Sequence, residues 1–345
     1  MKSPSHTKPF HLVIFKVNQL GDNVVFLPVV QQLRRLMPEA KITVLTSPVA
    51  EPLYSVACHN INTLTFQTAA FNGAWKHPLQ LFKIIRNIRK LAPDACMLGD
   101  DQANSAHLVA RLSGARTSIG PLLRTRPLGF LLHRRVPVTL SDPVALQNWR
   151  IAVGLLDTLG TETSSMPPLP PPPDLSAFGS QSAHGIIIHP GASRDYKRWP
   201  MARYVQLANR LAAVRPVVWI TQEVPEEAEL VSGVRCEKPT SLNAFISLMA
   251  GAQFFIGNNS GPMNIASALG LKGLIFNGPS TPNWDPPWHG DRLELLRDPS
   301  IRCQPCDALT HPVNVCRNAE QPMICMKRWT VDEVTQRVLA CTSPV

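Results

Sequence analysis

AQFFIGNNSGPMNIASALG, Ala252 to Gly270, changes character twice within nineteen residues. The apolar run AQFFI predicts a strand, GNNSGPMN a tight polar turn, and the small-residue run NIASALG a helix that begins in that turn. A turn of this kind points backbone N–H groups outward, which suits a phosphate. It carries Asn258, Asn259 and Asn264 but no acid or base of its own. Its residues either bridge neighbouring loops through their amides or cradle a ligand.

The same alternation runs outward from this stretch in both directions. FHLVIFKV is a strand that leads through NQLGDN into a helix from about Val24 to Met37. KITVLTS and ACMLG are strands. Between them LQLFKIIRNIRKLA has helical period, with Leu81, Ile84, Ile85, Ile88 and Leu91 on one side and Lys83, Arg86 and Lys90 on the other. Later come strand GIIIHPG, helix MARYVQLANRLAAV, strand PVVWIT, helix SLNAFISLMAGA and, beyond the opening stretch, strand LKGLIFNG. Short continuous apolar strands alternating with helices imply parallel sheets covered on both faces. PPLPPPPDL, Pro167 to Leu175, is stiff and cannot be helical, and it divides the chain almost in half. The expectation is an α/β chain of two Rossmann-like domains facing a cleft. Residues 1–166 form the first, 167–182 the linker, 183–328 the second, and 329–345 a last helix opened by the capping box Thr330-Val331-Asp332-Glu333. Ligands of such sheets bind at the carboxyl ends of the strands.

Two further post-strand loops therefore matter. In QLGDNVVFLP, Asp22 is either a helix cap or a carboxylate that faces the cleft as a base. In HPGASRDYKRWP, His189 to Pro200, small residues allow close approach and Lys197 offers a point charge for phosphate; otherwise this is a basic surface loop. Trp199-Pro200 reads as a structural plug. The G-x-G-x-x-G, Walker A, HExxH and GxSxG patterns are absent, which argues against dinucleotide enzymes, P-loop NTPases, zincins and α/β-hydrolases.

At 345 residues, 44% hydrophobic and 17% charged, the composition is globular. The formal charge of +10 is uneven: residues 1–172 hold 18 Lys and Arg against 9 Asp and Glu, residues 173–345 hold 16 against 15. A basic half suggests an anionic partner. Nucleic acid ranks low, since no RNP-like, zinc-finger or helix-turn-helix pattern is present. No signal peptide or bilayer-long apolar run is read, so a cytoplasmic location is expected, with peripheral contact at a membrane face left open. Cys303, Cys306, Cys316 and Cys325 follow C-x2-C-x9-C-x8-C, read first as structural thiols, with a metal as the alternative.

Taken together, LGDNVVFLP, HPGASRDYKRWP and GNNSGPMNIASALGLKGLIFNGPSTP, in that order around a mid-chain linker, resemble glycosyltransferase family 9, the ADP-heptose:lipopolysaccharide heptosyltransferases. The tail CQPC…C…C is also similar to many members. The resemblance implies a GT-B fold, with a nucleotide-sugar on the C-terminal domain, the acceptor on the N-terminal one and a final helix returning to the first domain. It implies that Asp22 is the catalytic base, that Ser193 and Lys197 belong to the donor-phosphate loop and that Glu226 holds the ribose. The family pattern has Asp and His where this chain has Asn259 and Asn264, while Ser260 and Gly261 are kept. The implied reaction is an inverting, metal-independent transfer from an ADP-heptose-like donor to an anionic glycolipid, with no cofactor. Asp100-Asp101 lack the D-x-D spacing of metal-dependent transferases and are unassigned. A binding protein of the same fold without activity is the competing expectation.

Overall fold

In the computed structural model, which describes residues 8–163, 169–181, 184–220, 230–307 and 315–342, HLVIFK becomes β1 (His11–Lys16) with every residue buried. Around it stand β2 (Lys41–Thr46), β3 (Ile61–Thr65), β4 (Ala95–Leu98), β5 (Thr117–Leu122) and β6 (Arg134–Pro137), all parallel, in the order β3-β2-β1-β4-β5-β6. The helices of this unit are α1 (Leu20–Leu36), α2 (Glu51–Ala57), α3 (Thr68–Gly73), α4 (Pro78–Lys90), α5 (Asn104–Leu112) and α6 (Val144–Thr158). Side chains alternate across a strand. Val13 and Phe15 accordingly join Cys96 and Leu98 in a core covered by Phe71, Ile84, Ile88 and Val109, with Leu81, Ile85 and Leu91 packed at its margin. The inward stripe read in LQLFKIIRNIRKLA is thus the stripe that packs.

The second unit repeats the winding with β7 (His184–His189), β8 (Val217–Ile220), β9 (Val234–Glu237), β10 (Ala252–Asn258), β11 (Lys272–Phe276) and β12 (Leu293–Leu296). Its parallel order is β12-β11-β10-β7-β8-β9. Its helices are α7 (Met201–Ala212), α8 (Leu242–Ala250), α9 (Gly261–Ala268), α10 (Ile324–Lys327) and α11 (Val331–Thr342). The chain divides into units Met1–Pro173 and Asp174–Val345. Beyond the division, Leu175 and Phe178 are buried and Gln181 N–H donates to Ser247 O at 3.1 Å, so this stretch lies against α8. Each sheet reverses its strand order once, between β1 and β4 and between β7 and β10, and a crevice opens at the carboxyl edge at such a reversal.

Three local readings sharpen. α1 starts at Leu20, a full turn before the expected Val24, and Asp22 lies inside its first turn while Gln19 is the cap. Asn23 looked like a turn residue. It is wholly buried, donating to Gln19 O at 2.8 Å and accepting from Tyr54 Oη at 2.7 Å and Thr46 Oγ1 at 3.1 Å, which lets the helix begin early. The capping box forms: Glu333 N–H donates to Thr330 Oγ1 at 3.2 Å and Thr330 N–H to Glu333 Oε2 at 3.0 Å. It launches α11, whose Val331, Val334 and Val338 sit in the core of the second unit with Trp199 and Trp329. Among the described residues no helix is long and apolar enough to cross a membrane.

Candidate active site

In the first unit the crevice between β1 and β4 holds three charged groups. Lys16, the last residue of β1, has no exposed surface and pairs with Asp100, which follows β4. The loop is braced around the pair. Asp100 N–H donates to Asn148 Oδ1 at 2.8 Å, and Gln102 accepts from Val17 N–H at 3.2 Å and donates to Asp100 O at 2.8 Å. A Cβ at Gly99 would stand 3.0 Å from Lys16 Cδ, so glycine is what lets the lysine stem pass. Asp22 completes the group. It keeps some exposure, yet burial pushes its carboxyl up to about 6; Lys16 pulls it down, Asp100 pushes it up, a backbone hydrogen bond at Gln19 lowers it and Asp101 raises it. Asp22 is not the N-cap residue of α1: Gln19 holds that position without a side-chain cap bond, and Asp22 lies in the first turn with its carboxyl bonded to the Gln19 backbone. A carboxylate with its pKa near neutrality at a strand's carboxyl edge can accept a proton. Asp101 is paired with Arg126 at 2.6 Å.

In the second unit, the loop after β7 and the turn after β10 meet at the other reversal. Asn258 ties them. Its Nδ2 donates to Pro190 O at 2.7 Å, and its Oδ1 accepts from Trp199 N–H at 3.0 Å and Tyr204 Oη at 2.9 Å. Trp199 is the plug that its setting suggested: it stacks on Phe276 at 4.4 Å and donates through its indole N–H to Trp329 O at 3.1 Å. Arg198 holds the loop closed by donating twice to Ala192 O, at 3.0 and 2.7 Å. Ser193 is exposed on this loop. Lys197 faces inward, paired with Asp307 at 2.5 Å, and Tyr196 Oη donates to the same carboxylate at 3.3 Å. Burial lowers the His189 pKa to about 4, so its imidazole is neutral.

The turn itself divides its labour. Ser260 is the N-cap residue of α9 without a side-chain cap bond, its hydroxyl donating instead to Asn258 O at 3.2 Å, and Gly261 begins the helix. Asn259 Nδ2 donates to Asn277 Oδ1 at 2.6 Å; Asn277 donates to Asp285 Oδ1 at 2.7 Å; Asp285 accepts two bonds from Arg297, each at 2.6 Å. Asn264 is buried on α9, and its Oδ1 has no partner among the described residues. Buried polar atoms left unpaired are uncommon. Glu226 lies outside the described residues.

Lys16 and the Asn277–Asp285–Arg297 chain were missed from sequence. A lysine ending an apolar strand was the available signal for the first; nothing local marks the second. Cys303, Cys306, Cys316 and Cys325 line one small pocket with Tyr196 and Pro279. They are free thiols; burial and the neighbouring sulfurs push Cys306 up and Cys325 up to about 12. Among the described residues no three His, Cys, Asp or Glu are grouped to hold a metal ion.

Comparison with known proteins agrees with this fold. The chain is 32% identical over 114 residues to the lipooligosaccharide heptosyltransferase 2 of Haemophilus influenzae, covering 29% of this chain and 32% of that protein. It is 23% identical over 171 residues to the enzyme of that name from Campylobacter jejuni, covering 46% and 51%. These matches thus span a third to a half of the relatives' length. In three dimensions, E. coli heptosyltransferase WaaC, solved with ADP-2-deoxy-2-fluoro heptose, superposes with a TM-score of 0.71 at 15% identity, over 96% of this chain and 100% of that one, and so shares the two-unit GT-B fold. The profile of glycosyltransferase family 9 (heptosyltransferase) matches residues 81–316, from within α4 to Cys316, and on that extent the chain belongs to this family.

Proposed function

We propose that this chain transfers a heptose-like sugar from a nucleoside diphosphate to a hydroxyl of an anionic glycolipid of the lipopolysaccharide-core kind. The observation that carries the reading is Asp22, a carboxylate with its pKa near 6 at the sheet reversal, beside a buried Lys16–Asp100 pair. In this mechanism Asp22 takes the acceptor's hydroxyl proton while that oxygen bonds to the anomeric carbon. The bond from that carbon to the diphosphate breaks, its electron pair leaves with the diphosphate, and the anomeric centre inverts. Negative charge grows on the leaving group, where the amides at Ser260–Gly261, the start of α9 and the Lys197 ammonium would receive it. Lys197 has three donors, and Asp307 takes one at 2.5 Å, so a phosphate can share the rest. Ser193 would donate from the same loop, and Glu226 would hold the ribose. Because the charges come from the protein, the reading needs no metal or cofactor. The basic first unit would receive the acceptor, and the reaction would then run at a membrane face.

The test is turnover of ADP-heptose and other nucleotide-sugars with rough and phosphate-stripped core glycolipids. Asp22→Asn should lower turnover at least about 10²-fold while nucleotide affinity holds. No turnover with any donor, together with firm nucleotide binding, would instead support a binding protein of this fold.

A further inference from the structure

We propose that the outer face of α4, with the residues just before it, is the surface by which this chain lies on an anionic lipid bilayer. Trp75, Leu79 and Phe82 are 46%, 79% and 64% exposed. Leu79 and Phe82, three apart, share the water-facing side of α4, and Trp75 stands just before it in the short turn Ala74–Lys76, so three exposed apolar side chains gather at the start of the helix. The inner face of the same helix is already satisfied by its core contacts. Lys76, Lys83, Arg86 and Lys90 surround this patch, all exposed, and none makes an ion pair among the described residues. Lys76 Nζ stands 5.3 Å over the Trp75 ring. From Glu51 to Asp94 no acid intervenes in the sequence.

An ordinary solvated face would not expose Trp, Leu and Phe together, and an ordinary protein interface would not leave so many cations unmatched. A second copy of this chain would bring like charges together. Anionic headgroups answer both features: apolar side chains enter the headgroup boundary while lysine and arginine heads stay at the phosphates.

The position fits the work. Leu91, next after α4, accepts from the His11 ring at 2.8 Å at the amino end of β1, so α4 finishes at that edge of the sheet. Its beginning, with Trp75, Leu79 and Phe82, therefore points toward the carboxyl edge, where Asp22 lies. A chain seated on this patch would meet a membrane-borne hydroxyl at the edge that carries the base. That purpose rests on the transferase reading; the binding itself does not.

The experiment is flotation of the full chain with vesicles of phosphatidylcholine alone and with phosphatidylglycerol added. The chain should float with the anionic vesicles only and be released by salt. Leu79→Ser/Phe82→Ser and Lys83→Glu/Arg86→Glu should each lower partitioning at least about tenfold. All four side chains are exposed, so melting temperatures should not move. The proposal is overturned if the parent does not float with anionic vesicles, if it floats equally with both kinds, or if both variants float as the parent does. Self-association without vesicle binding overturns it in favour of a second copy. Binding needs no transfer assay, so a chain that floats but transfers no sugar supports this surface and sinks the transferase reading.

Discussion

Lys16 ends an otherwise apolar strand, and an ammonium is tolerated there because Asp100 faces it in the same buried space. The pair sets the field in which Asp22 titrates. With its carboxyl raised from the ordinary 3.8 to about 6, Asp22 is protonated below that pH, so kcat/KM should fall as pH drops through about 6. Lys16→Met removes the main influence holding that value down, so the acid limb should move to higher pH. It also strands Asp100, at a cost of about 3–5 kcal/mol read from denaturant unfolding. Because the folded value is raised, ionising Asp22 works against the fold. That penalty begins near 3.8 and is complete above about 6. Asp22→Asn should therefore stabilise the chain at pH 8 relative to parent, by about 1 kcal/mol given its partial exposure, and by nothing at pH 3. Lower stability at pH 8 would mean that Asp22 serves the helix start after all.

At the scale of elements, the turn of GNNSGPMN does two jobs with similar residues. Asn258 is a bracket between β10 and the loop after β7, whereas Asn259 and Asn264 stand where the family pattern has Asp and His. Asn258→Ala should cost about 3 kcal/mol, since Trp199 N–H, Tyr204 Oη and Pro190 O lose a buried partner together. Nucleotide binding should weaken with it, because the Lys197 loop is no longer held. Asn259→Asp with Asn264→His should instead shift donor preference at similar nucleotide affinity, scored over several nucleotide-sugars. Activity gained only in that variant would make the parent a binding protein. Period and apolar runs made β1, β2, β4, β7, β8, β10, β11 and the inner stripe of α4 legible in sequence, because those signals are local. β3, INTLT, was not legible: it is half exposed at the sheet edge, and its pattern is too polar to stand out. β5 carries Gly120-Pro121, which reads as a break. The chain from Asn259 to Arg297 joins residues 38 apart in sequence through polar contacts that no periodicity announces.

Across the whole molecule, the two units share one winding but not one charge. Pro173 is neutral, so the division after it leaves 18 Lys and Arg against 9 acids in the first unit and 16 against 15 in the second. A nucleotide diphosphate at the second unit would be held by short-range donors: helix amides, a lysine already half engaged and side-chain amides. Contacts of that kind, partly buried, are screened little by salt. An anionic glycolipid at the first unit would instead feel the summed field of exposed cations, which extends about one Debye length, roughly 8 Å at physiological ionic strength. Raising salt from low to physiological strength should therefore increase KM for the acceptor several-fold and leave KM for the donor nearly unchanged. Steady-state kinetics with each substrate varied at two salt concentrations makes the comparison, using a detergent-dispersed acceptor so that vesicle attachment plays no part. Equal sensitivity of both constants would mean that the charge of the first unit does not serve acceptor capture, and the surplus lysines and arginines would then be a solvated face.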